Sequence, residues 1–79
     1  MRMKLVTGAG GFIGSNLVAA LDATGDEIAV CDWLDAPEKI KNLENRRIAE
    51  RISPDELLEF MRDRAGEIET VFHMGAISS

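Results

Sequence analysis

Apolar and polar positions alternate between two rhythms along the chain. Met3 to Thr7 is a short, nearly continuous apolar run, the pattern of a strand buried on both faces of a parallel sheet, and so a central one. Past a glycine-rich stretch, Ile13, Leu17 and Leu21 recur at every fourth position with Gly14 and Val18 beside them. That spacing predicts a helix laying one apolar stripe on the sheet, and Gly25 ends it. Ile28 to Cys31 reads as a second strand. From Asp35 to Asn45 a short helix is expected, with Asp35 as its cap, Pro37 in its first turn, and Ile40 and Leu43 as a small apolar face. Arg46 to Glu50 is the expected third strand, with Glu50 at its end. Ser53, Pro54 and Glu56 then mark a helix start: serine at the cap, proline at the first position, and a glutamate placed to close a capping box. Leu57, Leu58, Met61 and Ala65 follow at helical spacing as core positions, Arg62 and Arg64 suit the last turn, and Gly66 terminates the helix. Glu69 to His73 restores the strand pattern.

Strands and helices therefore alternate, and right-handed crossovers convert that order into a parallel sheet arranged 3-2-1-4 with flanking helices. The fold class is α/β, the N-terminal part of a Rossmann fold. In this reading residues 1–79 are the first part of a dinucleotide-binding domain, with no internal boundary, and the remainder of the protein lies outside them. The direction of winding switches between strands one and four. The turn after the first strand and the segment Met74, Gly75, Ala76, Ile77 and Ser78 should line one crevice there from opposite sides.

The chemistry is concentrated in that turn. Gly8, Gly11 and Gly14 form the pattern G-x-x-G-x-x-G between a strand and a helix. Gly8 permits the sharp exit from the strand, Gly11 leaves room for a pyrophosphate at the helix mouth, and Gly14 allows the helix to pack closely on its strand. Asp32 stands at the carboxyl end of the second strand, about 20 residues past the glycines, where an acidic side chain accepts hydrogen bonds from the adenosine ribose. Alone, Asp32 would read as a turn-forming aspartate. Downstream of the glycine turn it reads as a ribose ligand.

A chain of 79 residues that is 46% hydrophobic buries one small core. Its net charge of −5 argues against nucleic acid or an anionic membrane as a partner, so any phosphate must be held locally, by backbone. Cys31 is the only cysteine and sits in an apolar run, as an inert buried thiol would. With no membrane-spanning stretch and no signal-peptide layout, a soluble, cytoplasmic protein is expected. Met61 reads as core and not as a metal ligand, and no metal site is expected.

Thr7-Gly8 followed by Gly11-Phe12-Ile13-Gly14-Ser15-Asn16 resembles the signature of the extended short-chain dehydrogenase/reductases, the sugar-nucleotide epimerases and dehydratases. Within them, the ending Phe72-His73-Met74-Gly75-Ala76-Ile77-Ser78-Ser79 closely resembles the ADP-L-glycero-D-manno-heptose 6-epimerase family, which carries Phe-His-x-Gly-Ala-x-Ser-Ser there. The resemblance spans the whole chain, but only about the first quarter of such an enzyme. It implies cofactor contacts from Phe12 and Ile13, from Asp32 and Trp33, from Lys39, and from Met74 to Ser78. This chain departs from the family at Trp33, usually asparagine, at Pro54, where a cofactor-binding lysine is common, and at Glu50, usually aspartate.

The reaction so implied inverts C6 of an ADP-activated heptose for the lipopolysaccharide inner core, by hydride removal to a held nicotinamide and return to the other face. Homo-oligomers are implied as well. The base in this superfamily is a tyrosine tuned by a lysine four residues on, and these 79 residues contain no tyrosine. No catalytic residue is therefore assigned: His73 reads as a hydrogen-bonded structural histidine, and Ser78 and Ser79 have no base in view. The segment alone is expected to be inactive. Another sugar-nucleotide epimerase or dehydratase, or a non-catalytic dinucleotide sensor, would share the same turn. As to cofactor, Asp32 by itself favours NAD, while the resemblance implies NADP, with Lys39 as a donor to the 2′-phosphate. Arg46 and Arg47 read as a solvated charge pair, one of which becomes a second donor if the third strand brings it to that edge. The balance falls to NADP, with NAD as the alternative.

Overall fold

A computed structural model describes residues 3–33 and 37–74. Strand β1 (Met3–Thr7) leads through the glycine turn into helix α1 (Phe12–Ala23), followed by β2 (Glu27–Cys31) and α2 (Pro37–Asn42). Strand β3 (Glu50–Ile52), one turn of 3-10 helix at Pro54–Glu56, α3 (Leu57–Asp63) and β4 (Ile68–His73) complete the order. The sheet is parallel throughout, in the order β3-β2-β1-β4. The expected α/β topology is thus the observed one. The expected capping residue Asp35 and the segment Gly75, Ala76, Ile77 and Ser78 lie outside the described residues.

Both faces of the central strands are covered, which explains their unbroken apolar runs. Val6, Ile28 and Val30 face α1 and pack with Val18 and Leu43, while Met3, Leu5, Ala29 and Cys31 face α3 and pack with Leu57, Phe60 and Met61. Helices therefore lie on both faces of the sheet, as double winding requires. Beside Met3 and Lys4 the register on β4 skips Glu69, pairing Met3 with Ile68 but Lys4 with Thr70. A skip of one residue exchanges the faces of a strand, so Ile68 packs on the α3 side and Phe72, four residues on, packs on the α1 side.

Gly25 ends α1 as expected, at φ +80°, where the Gly25 and Asp26 amides donate to Asp22 and Leu21 carbonyls at 3.0 and 3.1 Å. This is a Schellman closure, which requires a left-handed residue. At Ser53 the Glu56 carboxylate reaches back to accept from the backbone amide at 3.1 Å, so the capping box is present, although its first turn is 3-10 and not α.

Several expectations are corrected. Ile13 is not part of the buried stripe of α1: it is 61% exposed and lines the cleft, and the helix instead buries Gly14, Ser15 and Val18. No residue of α2 is buried: Ile40 is exposed, and Leu43, just past the helix, is the one that reaches the core. The third strand begins where it was expected to end. Asn45 takes a left-handed φ of 66°, Arg46 to Ala49 run as a connector, and pairing with β2 starts with the Ala49 amide on the Ile28 carbonyl at 2.8 Å. Glu50 therefore opens β3, level with Ala29 at the middle of β2, where it does not line the cleft and pairs instead with Arg64. On α3, Leu58 faces solvent and Phe60 takes the core position, and Ala65 lies beyond the helix and is exposed. Gly66 does not terminate α3 through a left-handed turn. The helix stops at Asp63, Arg64 caps it with its amide on Phe60 O at 2.9 Å, and the Arg64 guanidinium lies over the Phe60 ring while pairing with Glu50 and Glu67.

Candidate functional site

The carboxyl ends of the strands converge on a cleft of about 820 Å³, within the roughly 300–1,000 Å³ typical of small-molecule sites. Its near wall is the glycine turn. Gly8 leaves β1 at φ +68°, a conformation costly for any residue with a β-carbon, while its amide donates to Cys31 O at 2.8 Å and so keeps the last rung of the sheet. Gly14 is required by contact: a β-carbon there would stand 2.2 Å from Gly8 O. Its tight neighbour is thus the turn itself, and not the strand as expected. Gly11 differs from both. It has an extended backbone, φ −75° and ψ 176°, and a β-carbon on it would meet only Gly8 O, at 3.6 Å, with open space beyond.

Gly11 caps α1, yet no side chain caps that helix. Ser15 Oγ donates instead to Phe12 O at 3.1 Å, and no acidic residue lies in the first turn. The first amides of a helix have no intrahelical partner, and here they meet the cleft with the positive end of the helix dipole behind them. An anion is the natural partner of such a surface. Phe12 and Ile13, 79% and 61% exposed, flank the spot as apolar walls.

The far wall comes from β2 and α2. Asp32, Trp33 and Lys39 line it, as expected, and Cys31 lies behind them. Burial, and then the neighbouring Asp32 charge, push the Cys31 thiol up from its ordinary value, which keeps it protonated and unreactive. The Asp32 carboxylate accepts three hydrogen bonds: from Gly10 N–H at 2.8 Å, from Trp33 N–H at 2.7 Å and from Lys39 Nζ at 3.3 Å. A carboxylate has about four acceptor positions, so one is left for a hydroxyl from the cleft. Lys39 also donates to Trp33 O at 3.2 Å, which leaves one of its three protons. The remaining rim is formed by Pro54 and Leu57 at the start of α3 and by His73 and Met74 past β4. At the switch point Thr7 Oγ1 and His73 Nδ1 stand 2.8 Å apart, a hydrogen bond that ties β1 to β4.

The structure thus gathers Gly8, Gly11, Phe12, Ile13 and Gly14 with Asp32, Trp33, Lys39 and Met74 around one cleft. Two residues of this region had no role in the sequence reading. Gly10 stands between the motif glycines, where a β-carbon would come within 2.8 Å of Lys39 Cβ, and Asn42 donates from Nδ2 to Gly10 O at 2.9 Å. The doubled glycine was a visible signal for the first; nothing in the spacing marked the second. Among the described residues no helix is long and apolar enough to cross a membrane.

Comparison with known proteins agrees with this geometry. The model of the NAD dependent epimerase/dehydratase family matches residues 4–79. The chain is 43% identical over 74 residues to an ADP-L-glycero-D-manno-heptose-6-epimerase of Cupriavidus pinatubonensis, and 44% identical over 78 residues to one of Pseudomonas aeruginosa. It is 40% identical over 80 residues to another of Nitratidesulfovibrio vulgaris. These matches cover 91%, 95% and 98% of the chain, which spans only 22%, 23% and 25% of the respective relatives.

Proposed function

The chain belongs to the NAD-dependent epimerase/dehydratase family, and from that premise we propose that it is the N-terminal, dinucleotide-binding part of an enzyme that inverts C6 of ADP-glycero-manno-heptose in lipopolysaccharide inner-core synthesis. The observation that carries the binding role is the mouth of α1, where Gly11 leaves open space before a helix end that no side chain caps. The amides of that first turn hold the pyrophosphate. Asp32 accepts from the adenosine ribose through its remaining position, and the exposed Trp33 ring offers an apolar surface to the adenine. Met74, on the cleft rim, faces the nicotinamide side. When bound, the nicotinamide supplies the hydride acceptor and donor. The base and the sugar site belong to the rest of the enzyme, a cytoplasmic homo-oligomer in this reading, and residues 1–79 alone are inactive.

NADP is the proposed cofactor. A bare Asp32 would repel a 2′-phosphate, but its charge is paired with Lys39, which keeps a free proton for that phosphate. A charge-assisted hydrogen bond there contributes about 1.5–3 kcal/mol. Calorimetry on the full-length protein should show NADP bound more tightly than NAD, with Lys39→Ala losing more than about tenfold for NADP and much less for NAD. Equal losses, or a wild-type preference for NAD, would show that Asp32 prevails. Turnover is tested by supplying ADP-, UDP- and dTDP-activated sugars to the same protein. Epimerisation confined to the ADP-heptose supports the reading, and turnover of another sugar alone replaces it.

A further inference from the structure

Resting on the dinucleotide-binding reading, we propose that Asn42 is a positioning residue of the cofactor site: acting through the Gly10 carbonyl, its carboxamide holds the glycine turn in the shape that presents the α1 amides. Asn42 is exposed, stands at the last residue of α2, and does not line the cleft. Its effect passes through one peptide. Nδ2 donates to Gly10 O at 2.9 Å, and only the amide end of the side chain can face a carbonyl, so chemistry fixes its orientation. A carbonyl and the amide that follows it share one rigid plane, so holding Gly10 O sets the direction of Gly11 N–H, which donates to Gly8 O at 3.3 Å. Gly11 is the residue from which α1 starts.

The other end of Gly10 is held as well, its amide donating to Asp32 Oδ2 at 2.8 Å. Between these two bonds the Gly10 backbone lies directly against α2, with no room for a β-carbon beside Lys39 and Asp32. Asn42 cannot drift away from it, because the next residue, Leu43, is fully buried in the core that also contains Ala9. Helix α2 is therefore a strut, anchored by Leu43 and bearing on the turn through Asn42. Without it the Gly10–Gly11 peptide keeps only the long bond from Gly11 N–H to Gly8 O, at 3.3 Å, and rotates more freely, so the amides meet a pyrophosphate less well prepared.

The test uses the full-length enzyme with Asn42→Ala and Asn42→Asp. Calorimetry reads the affinity for NADP and for NAD, thermal melting reads the unliganded protein, and steady-state kinetics at saturating cofactor read the KM of the nucleotide sugar. One lost hydrogen bond predicts about three- to tenfold weaker dinucleotide binding for Asn42→Ala. The loss is larger for Asn42→Asp, which keeps the shape but sets a carboxylate against a carbonyl. Melting temperature and sugar KM should stay near wild type, since Asn42 is exposed and does not line the cleft. Wild-type dinucleotide affinity in both variants overturns the inference while leaving the proposed function standing. A fall in melting temperature or a rise in sugar KM equal to the loss of affinity overturns it too, as the mark of a merely structural residue. A wild-type enzyme that binds neither dinucleotide overturns both readings.

Discussion

Gly11 and Gly14 lack side chains for opposite reasons, and substitution separates them. At Gly11 the backbone is extended and the space ahead is open, so Gly11→Val should fold normally while its branched side chain fills the proposed pyrophosphate position. The expected result on the full-length protein is an unchanged melting temperature with dinucleotide binding lost to calorimetry, and unchanged affinity would remove the cofactor assignment. Gly14→Ala inverts this pattern. Its β-carbon would stand 2.2 Å from Gly8 O, a backbone atom with no rotamer to change, so the cost falls on the fold. Forced overpacking of this kind costs about 1–3 kcal/mol, and a melting temperature within a degree or so of wild type would contradict it. Both glycines were visible in the sequence, as one motif. Which of them faces a ligand and which faces a carbonyl was decided by the turn closing on itself.

At the scale of the element, helix α3 shows how far periodicity reaches. Leu57, Leu58 and Met61 all satisfy helical spacing, but Leu58 is 77% exposed and Phe60 packs under the sheet instead. Leu58→Ser should therefore change stability by no more than about 0.5 kcal/mol. Phe60→Ala, losing both its core contacts and its stacking under Arg64, should cost about 2 kcal/mol or more by denaturant unfolding. The closure of α1 carries a pH dependence. The Thr24 hydroxyl, 2.6 Å away, and then Lys4 hold the Asp26 carboxyl below its ordinary value of 3.8. A carboxyl depressed in the folded state contributes stability that is present above the unfolded pKa and lost as pH falls through the folded one. Thr24→Val should accordingly be less stable than wild type near about pH 5, with the gap narrowing toward about pH 2 as both carboxyls protonate. A gap that does not change over that range would remove the assignment.

For the whole molecule, the sheet has two edges, β3 and β4, and exposes Val71 on one of them. Phe12, Ile13 and Trp33 are exposed around the cleft. A domain this small buries a modest share of its surface, so residues 1–79 expressed alone should be marginally stable and prone to self-association through the β4 edge. A cooperative melt well above room temperature from a monodisperse monomer would contradict this. The sequence by itself determined the order of the elements, the two-sided burial of β1, the sheet order 3-2-1-4, the glycine turn and the place of Asp32. All of these follow from local patterns: runs, spacings and turn residues that a chain carries wherever it folds. Tertiary structure decided the rest. It moved β3 to Glu50–Ile52 because pairing with β2 begins only after the chain has crossed from α2, and it turned Ile13, Ile40 and Leu58 outward because no neighbour extends over them. It also divided the Asp32 carboxylate among Gly10, Trp33 and Lys39, and brought Asn42 to Gly10 across 32 residues of chain. Periodicity states which side chains are able to be buried. Which of them meets a partner depends on where the neighbouring element ends, and that is known only once the chain has closed on itself.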